Sequence, residues 1–313
     1  MTRNRFRRFC LTDALKPVLA AFVALSLAAC QSTELSSAGL MPYARTAAPE
    51  IVLGEPEIRG ASTLVLDYRS GRTLYEDAAD GLRFPASLTK MMTLYLLFET
   101  VESGKLSLGS DLLVSENAAA QVPSKLGLRA GSTIRVVDAA QALAVKSAND
   151  VATTVAENLA GSEEAFAAAM TARARSLGMR HTRFANASGL PNPRQVSTAR
   201  DMAILSRSLL ERFPAYAPMF SRKSFEYEGR RHNATNKLLG TVPGVDGLKT
   251  GYIRNSGFHL VATATRRGRR ILVVVMGGKT GRERDAYVME LIDRHLGPAP
   301  VVAFAGASSF TPE

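Results

Sequence analysis

The chain has 313 residues, 46% of them hydrophobic and 21% charged, and a formal net charge of +11 at pH 7. That balance excludes a disordered or collagen-like chain, and the length suits one large domain or two ordinary ones. The two cysteines, Cys10 and Cys30, both lie in the first thirty residues, and His181, His232, His259 and His295 are scattered. Neither a disulfide framework nor a zinc-hydrolase pattern is therefore expected, and no metal or other cofactor is called for.

Arg3, Arg5, Arg7 and Arg8 open the chain, and an apolar run from Pro17 to Ala29 follows, broken by Ser26. The run is too short for a bilayer core, which takes ~20 residues, but suits a secretory signal. It ends in Leu27-Ala28-Ala29-Cys30, which resembles the lipobox of bacterial lipoproteins, where the cysteine takes a diacylglycerol and becomes the first mature residue. Residues 1–29 are thus expected to be a leader and Cys30 a lipidation site. The chain would be exported and held at the periplasmic face of a membrane, with Gln31 favouring the outer membrane of a Gram-negative host. An ordinary signal cleaved before Cys30 is the alternative. Of the +11, +4 lies in residues 1–29, which leaves a body of +7. Such a body suits nucleic acid, anionic lipid or an anionic polymer, and export argues against nucleic acid.

Residues 30–52, rich in Ser, Ala and Thr without a period, read as a flexible tether to a body spanning 53–297. Ser62–Tyr68 and Arg72–Tyr75 form a predicted hairpin around Ser70-Gly71. A helix is expected from about Ser87 to Glu102, with Met91, Leu94, Tyr95 and Phe98 on one face and Gly104 at its end. Residues 133–178 read as helical, punctuated by Asn149 and Gly161, and Ala199–Arg212 as a helix that stops before Pro214. Phe258–Thr265 and Arg270–Met276 predict a second hairpin whose basic tip, Arg266-Arg267-Gly268-Arg269-Arg270, is solvated. A last helix covers about Arg284–His295, and residues 298–313 form a frayed tail. Strands at both ends and helices between them predict an α+β fold, an α/β sandwich whose hairpins share one antiparallel sheet flanked by helices.

Three short motifs carry chemistry. Ser87-Leu88-Thr89-Lys90 is the sole SxxK, and three-residue spacing puts hydroxyl and amine on one helix face. Alone, Ser87 would read as an N-cap and Lys90 as a solvated first-turn residue. SxN occurs twice, at Ser115-Glu116-Asn117 and Ser147-Ala148-Asn149, and KTG twice, at Lys249-Thr250-Gly251 and Lys279-Thr280-Gly281. Glu116 beside Ser115 would raise the pKa of a nearby lysine, whereas Ser147 sits at a junction of predicted helices. The second KTG follows a strand, but Val273 stands where a phosphate loop needs glycine. The first lies in an edge-strand pattern able to pair with an extended peptide.

In that order, Ser87–Lys90, Ser147–Asn149 and Lys249–Gly251 make the motif set of β-lactamases and penicillin-binding proteins. With Phe84–Thr93, Lys146–Asp150, Leu177-Gly178-Met179, Asn186–Pro191 and Gly244–Tyr252, the chain resembles the serine-type D-alanyl-D-alanine carboxypeptidases, the low-molecular-mass penicillin-binding proteins, from about Glu55 to Leu296. The resemblance implies the penicillin-binding, β-lactamase-like fold and a penicillin-binding carboxypeptidase that removes the terminal D-alanine from peptidoglycan stem pentapeptides. Its partners would be stem peptides, β-lactams as covalent inhibitors, and the membrane through Cys30. It implies Ser87 as nucleophile, Lys90 as general base, Ser147 as proton relay and Asn149 as holder of the substrate amide. Lys249 and Thr250 would take the terminal carboxylate, with Gly251 between them and Tyr252 and with Arg284 assisting. The backbone N–H groups of Ser87 and Tyr252 would form the oxyanion hole. Bringing a lysine from 10.4 to about 8 takes ~3.3 kcal/mol, supplied by burial and by repulsion from Lys249.

Only 62 residues follow Gly251, so neither the second, all-β domain nor the C-terminal amphipathic helix common in that family is expected, with the Cys30 lipid as anchor instead. Three other functions share these residues. A class A β-lactamase needs a glutamate after the SxN motif, and Thr182–Pro191 holds no acid. An endopeptidase cutting cross-links uses the same machinery. An idle cell-wall-binding lipoprotein would not need Ser87, Lys90, Ser147 and Lys249 together.

Overall fold

The computed structural model describes residues 60–298. The leader, Cys30, the tether and nearly all of the tail therefore lie outside the described residues.

The body is built on a five-stranded antiparallel sheet. Its strands are β1 (Ser62–Asp67), β2 (Thr73–Asp77), β7 (Val245–Ile253), β8 (Gly257–Arg266) and β9 (Arg269–Gly278), in the order β2-β1-β9-β8-β7. The predicted hairpins thus meet in one sheet, where Leu64 lies opposite Val274. The β7 strand, with Lys249-Thr250-Gly251, forms an edge of that sheet.

Alternation explains why both faces are covered. Leu64, Leu66, Val261, Leu272, Val274 and Met276 face a large helical core. Val65, Leu260, Ala262, Ile271, Val273 and Val275 face a smaller core with Val288, Leu291 and Ile292 of the last helix, Gly281–Leu296. Successive strand residues point to opposite faces, so an unbroken apolar run is what a twice-covered sheet requires.

The helical core surrounds α1 (Lys90–Glu102), which continues from a 3-10 turn at Ala86–Thr89. The single apolar face expected for this helix is too narrow. Met91, Met92, Leu94, Tyr95, Leu97 and Phe98 are all buried, because α1 runs through the middle of the layer and later helices wrap it. Around it stand α2 (Glu116–Ala120), α3 (Val136–Gln141), α4 (Asn149–Ala160), α5 (Glu163–Ser176) and α6 (Ala199–Arg212), and α7 is the last helix. Residues 133–135, read as helical, are instead strand β4 (Thr133–Arg135), paired with β3 (Asp111–Leu113). A second two-stranded ribbon, β5 (Ser224–Tyr227) with β6 (Arg230–Asn233), also escaped the sequence reading.

The basic hairpin tip is solvated only in part. Arg266 is buried, with its Nη1 at 2.5 Å from Asp293 Oδ1 and 2.6 Å from the Gly297 carbonyl. Arg270 pairs with Asp246 and lies over the Tyr68 ring. Two of its four arginines are therefore held, Arg266 tying β8 to α7 and Arg270 tying β9 to Asp246 of β7.

Candidate active site

A cleft of about 920 Å³ lies between the β7 edge and the helical layer, lined by Ser87, Ser147, Asn149, Thr250, Tyr252 and Arg284 among others. Three segments distant in sequence bring these side chains together.

The first is the turn carrying Ser87. Ala86 sits at φ 48°, left-handed backbone that a residue with a Cβ adopts only under constraint. The constraint is partly steric, since a Cβ on Gly189 would lie 1.9 Å from the Ala86 carbonyl oxygen. Gly189 itself sits at φ +86°, so this glycine lets the 186–190 strap close on the nucleophile turn.

Lys90, one turn on, is fully buried. Its Nζ lies 3.2 Å from Ser87 Oγ, 2.7 Å from Asn149 Oδ1 and 2.5 Å from the Ser188 carbonyl oxygen. Asn149 Nδ2 donates to the Val122 carbonyl, which fixes the amide so that its oxygen faces the amine. Burial, then repulsion from Lys249, holds the Lys90 pKa well below the usual lysine value. A neutral amine has two N–H bonds and one lone pair. Asn149 Oδ1 and Ser188 O can only accept, so they take both N–H bonds and leave the lone pair to the Ser87 hydroxyl.

Ser147 occupies the junction between a π turn (Ala142–Lys146) and α4, at φ 63° and ψ 40°. Its hydroxyl is buried on the cleft wall and makes no hydrogen bond among the described residues, to either lysine or elsewhere. Next to Asn149, the Asp150 carboxylate accepts from the N–H groups of Leu126, Gly127 and Leu128, pinning the loop whose Pro123 and Ser124 also line the cleft, with the Ser124 carbonyl accepting from the Asn149 N–H.

On β7, Lys249 points inward and is buried, and its Nζ donates to the Thr250 carbonyl at 3.0 Å. Burial, reinforced by the Arg284 charge, lowers its pKa to about 7. Thr250 faces the cleft and donates to Thr235 Oγ1 at 2.7 Å. Gly251 is buried against Pro85 and Ala86, and Tyr252 is exposed and stacked on Phe258. Arg284, in the first turn of α7, is buried and donates from Nη1 to the His259 carbonyl. Its Nε lies 2.8 Å from Asp285 Oδ1 at an angle that makes the contact an ion pair without a hydrogen bond.

All the residues singled out in the body thus converge, while of the duplicate motifs Ser115, Asn117, Lys279 and Thr280 stay outside the cleft lining and Gly281 alone reaches it. Sequence reasoning missed Ser188, Thr235 and Gly189. The signal for Ser188 and Gly189 lay in the Asn186–Pro191 stretch, but which atoms they meet depends on contacts across the fold, and Thr235 lies in none of the matched stretches. Glu163 was missed too. Its carboxylate accepts from the Ala187 N–H at 3.0 Å, behind the strap, and burial raises its pKa. Among the described residues the sole carboxylate on the cleft lining is Asp285.

Residues 49–280 match the family model described as D-alanyl-D-alanine carboxypeptidase. D-alanyl-D-alanine carboxypeptidase DacA of Escherichia coli is 34% identical over 249 residues, 77% of this chain and 62% of the relative. The chain thus spans about three-fifths of that relative's length. Among solved structures, penicillin binding protein 5 from Haemophilus influenzae aligns with a TM-score of 0.72 at 32% identity, covering 74% of this chain and 69% of that one. Penicillin-Binding Protein D2 from Listeria monocytogenes, in its cefotaxime-bound form, aligns with a TM-score of 0.68 at 32% identity, covering 74% and 95%. The sandwich of helices on an antiparallel sheet is the penicillin-binding, β-lactamase-like fold.

Proposed function

The chain belongs to the D-alanyl-D-alanine carboxypeptidase family, and from that premise we propose that it hydrolyses the terminal D-Ala-D-Ala bond of peptidoglycan stem pentapeptides through an acyl-enzyme on Ser87. The observation that carries this is the Lys90 amine, with two acceptor-only partners and its third position on Ser87 Oγ. Lys90 takes the Ser87 proton as Oγ attacks the penultimate D-alanine carbonyl. The N–H groups of Ser87 and Tyr252 hold the oxyanion. As the C–N bond breaks, Ser147 passes its proton to the departing amine and takes one in turn from the Lys90 ammonium, which returns to the free amine, and free D-alanine leaves. Water then attacks the ester carbonyl and gives a proton to Lys90, which hands it to Ser87 Oγ as the C–O bond breaks, so that the Ser87 hydroxyl and the neutral amine are both restored. Thr250 and Arg284, with the charge of Lys249 behind them, take the terminal carboxylate, and Asn149 also holds the substrate amide.

The test is mass spectrometry of products from a stem pentapeptide and, in parallel, from a cross-linked dimer. Release of D-alanine from the pentapeptide is expected, abolished in Ser87→Ala and nearly so in Lys90→Arg, since a guanidinium does not serve as a base. Faster cutting of the dimer would make the enzyme an endopeptidase, and turnover retained in Lys90→Arg would overturn the assigned base.

β-Lactams are proposed to acylate Ser87 and to stay. The opened ring stays tethered and blocks the approach that water takes in the peptide reaction. Among the described residues no carboxylate on the cleft lining other than Asp285, already paired with Arg284, is available to drive water onto the ester by another route. Loss of a positioned general base slows such a step about 10²–10⁴-fold. The export signal and the lipid on Cys30 belong to the same reading, supported by the Leu27–Cys30 box and by the lack of cysteine beyond it. Membrane retention should disappear in Cys30→Ala.

A further inference from the structure

His259 is fully buried in β8 directly opposite Gly251, and the chemistry above gives it no task. Both of its ring nitrogens are engaged. The β8–β9 register shifts between Phe258 and Leu260, an irregularity that frees a backbone N–H from the ladder. The Gly277 N–H donates to His259 Nδ1 at 2.9 Å. A backbone N–H can only donate, so Nδ1 carries the lone pair and Nε2 carries the proton. Burial lowers the imidazole pKa to about 4, so one ring proton is all it has at neutral pH.

That proton serves the chain just before the nucleophile turn. Nε2 lies 3.0 Å from the Phe84 carbonyl oxygen, three residues before Ser87, with Ser256 Oγ also at 3.0 Å. Between Phe84 and Ser87 stand Pro85, which has no N–H to anchor, and Ala86 in its left-handed conformation. A turn in that conformation persists only where its surroundings over-determine it. Gly251 makes the approach possible, because a Cβ there would stand 3.3 Å from Ala86 Cβ, His259 Cδ2 and the Pro85 carbonyl oxygen alike. The His259 carbonyl meanwhile accepts from Arg284.

We propose that His259 is a positioning residue: its Nε2–H holds the Phe84 carbonyl and so sets Ser87 Oγ against Lys90, while its own carbonyl seats Arg284 on the carboxylate side. One residue thereby fixes the distance between the nucleophile and the group that anchors the substrate's end. The inference rests on Ser87 being the acylated residue.

The two arms of the ring can be separated by substitution. Asparagine places an oxygen near the Nδ1 position and keeps the Gly277 bond, but it is too short to reach Phe84. Glutamine reaches Phe84 with its amide N–H and gives up the Gly277 bond. The readouts are the second-order rate of Ser87 acylation by a fluorescent penicillin and the melting temperature of the full chain. His259→Asn should acylate about tenfold or more slowly, the scale of a misplaced reacting group, with Tm within about 3 °C of the parent. His259→Gln should acylate within about threefold of the parent, although its Tm falls further. A folded His259→Asn that acylates at the parental rate would overturn the proposal, as would rates that follow Tm in both variants. Should His259→Asn not fold, 15N NMR of the parental imidazole decides. A bare Nδ1 and a protonated Nε2 at pH 7 are required, and the opposite tautomer or an imidazolium would refute the assignment. A parent chain that takes no label at all would instead fault the reading of Ser87, and the NMR result would still judge His259.

Discussion

The same tripeptide stands at two places thirty residues apart, and the two copies share almost nothing else. In Lys249-Thr250-Gly251 the lysine is buried, the threonine faces the cleft, and the glycine lets the strand close on the nucleophile turn. In Lys279-Thr280-Gly281 the lysine is exposed, and Thr280 caps α7, its hydroxyl accepting from the Glu283 N–H at 3.1 Å. A strand at a sheet edge turns alternate side chains toward core and cleft, whereas a helix start uses a threonine for its own unpaired N–H groups. The SxN pair divides likewise. Ser115 caps α2, accepting from the Ala118 N–H at 2.9 Å, while the Ser147 hydroxyl is buried on the cleft wall without a partner among the described residues. In both pairs the copy that forms the site is the one whose hydroxyl the fold turns to the cleft rather than to a helix cap.

The sharpest test of that contrast is the serine pair. Ser147→Ala removes the proposed relay and should lower kcat/KM for the pentapeptide by about 10²-fold or more. Ser115→Ala should leave kinetics unchanged and cost about 1 kcal/mol of stability through the lost cap. Ser147→Gly adds a control, because glycine relieves the left-handed conformation at φ 63°. It should be as inactive as Ser147→Ala without melting earlier than the parent. Activity surviving in either Ser147 variant would remove that residue from the mechanism.

How far this contrast can be read from sequence depends on distance along the chain. The hairpins and their shared sheet were readable because a period of two is a local signal, and Leu272–Met276 alternates between two cores as such a run must. SxxK was readable because its members lie one turn apart. The strap was matched as a stretch but not as a part, since its work depends on Gly189 meeting Ala86 and on Ser188 meeting Lys90. Arg266 was misread for the same reason. Five clustered residues look like a solvated tip until Asp293 and Gly297 arrive from another element. His259 looked like one of four scattered histidines, and only the sheet register sets it opposite Gly251.

The lysine pair comes next in size. Lys249→Met should lower kcat/KM by about 10²-fold through the lost carboxylate charge, while Lys279→Met should stay within about twofold of the parent. Stability should move the other way. Lys249 titrates at about 7 in the folded chain and near 10.4 when unfolded. Between those values the unfolded chain binds one more proton, so stability rises with pH across that window, and below pH 7 the penalty of a buried charge is complete. Lys249→Met should therefore raise Tm most at about pH 6 and less as pH approaches 10, with an upper bound on the order of 4 kcal/mol. Thermal melts across that range check the sign. A gain that grows toward pH 10 would mean the amine is not the buried, strained charge described above.

The threonines give the smallest and cleanest separation, because Thr→Val keeps the shape and removes one hydroxyl. At position 250 the hydroxyl donates to Thr235 and faces the cleft, so it is exchangeable with a substrate carboxylate. A hydrogen bond to a charged group contributes about 1.5–3 kcal/mol, and Thr250→Val should accordingly raise KM about tenfold or more. Its Tm should hardly change, since the lost partner is another hydroxyl near solvent. At position 280 the hydroxyl serves the Glu283 N–H alone, and Thr280→Val should cost about 1 kcal/mol, or about 2–4 °C, with KM untouched. Steady-state kinetics and melting curves on the two variants decide between a tripeptide that acts through its letters and one that acts through its element. If Thr280→Val altered KM and Thr250→Val did not, the β7 edge would lose its claim to the substrate carboxylate.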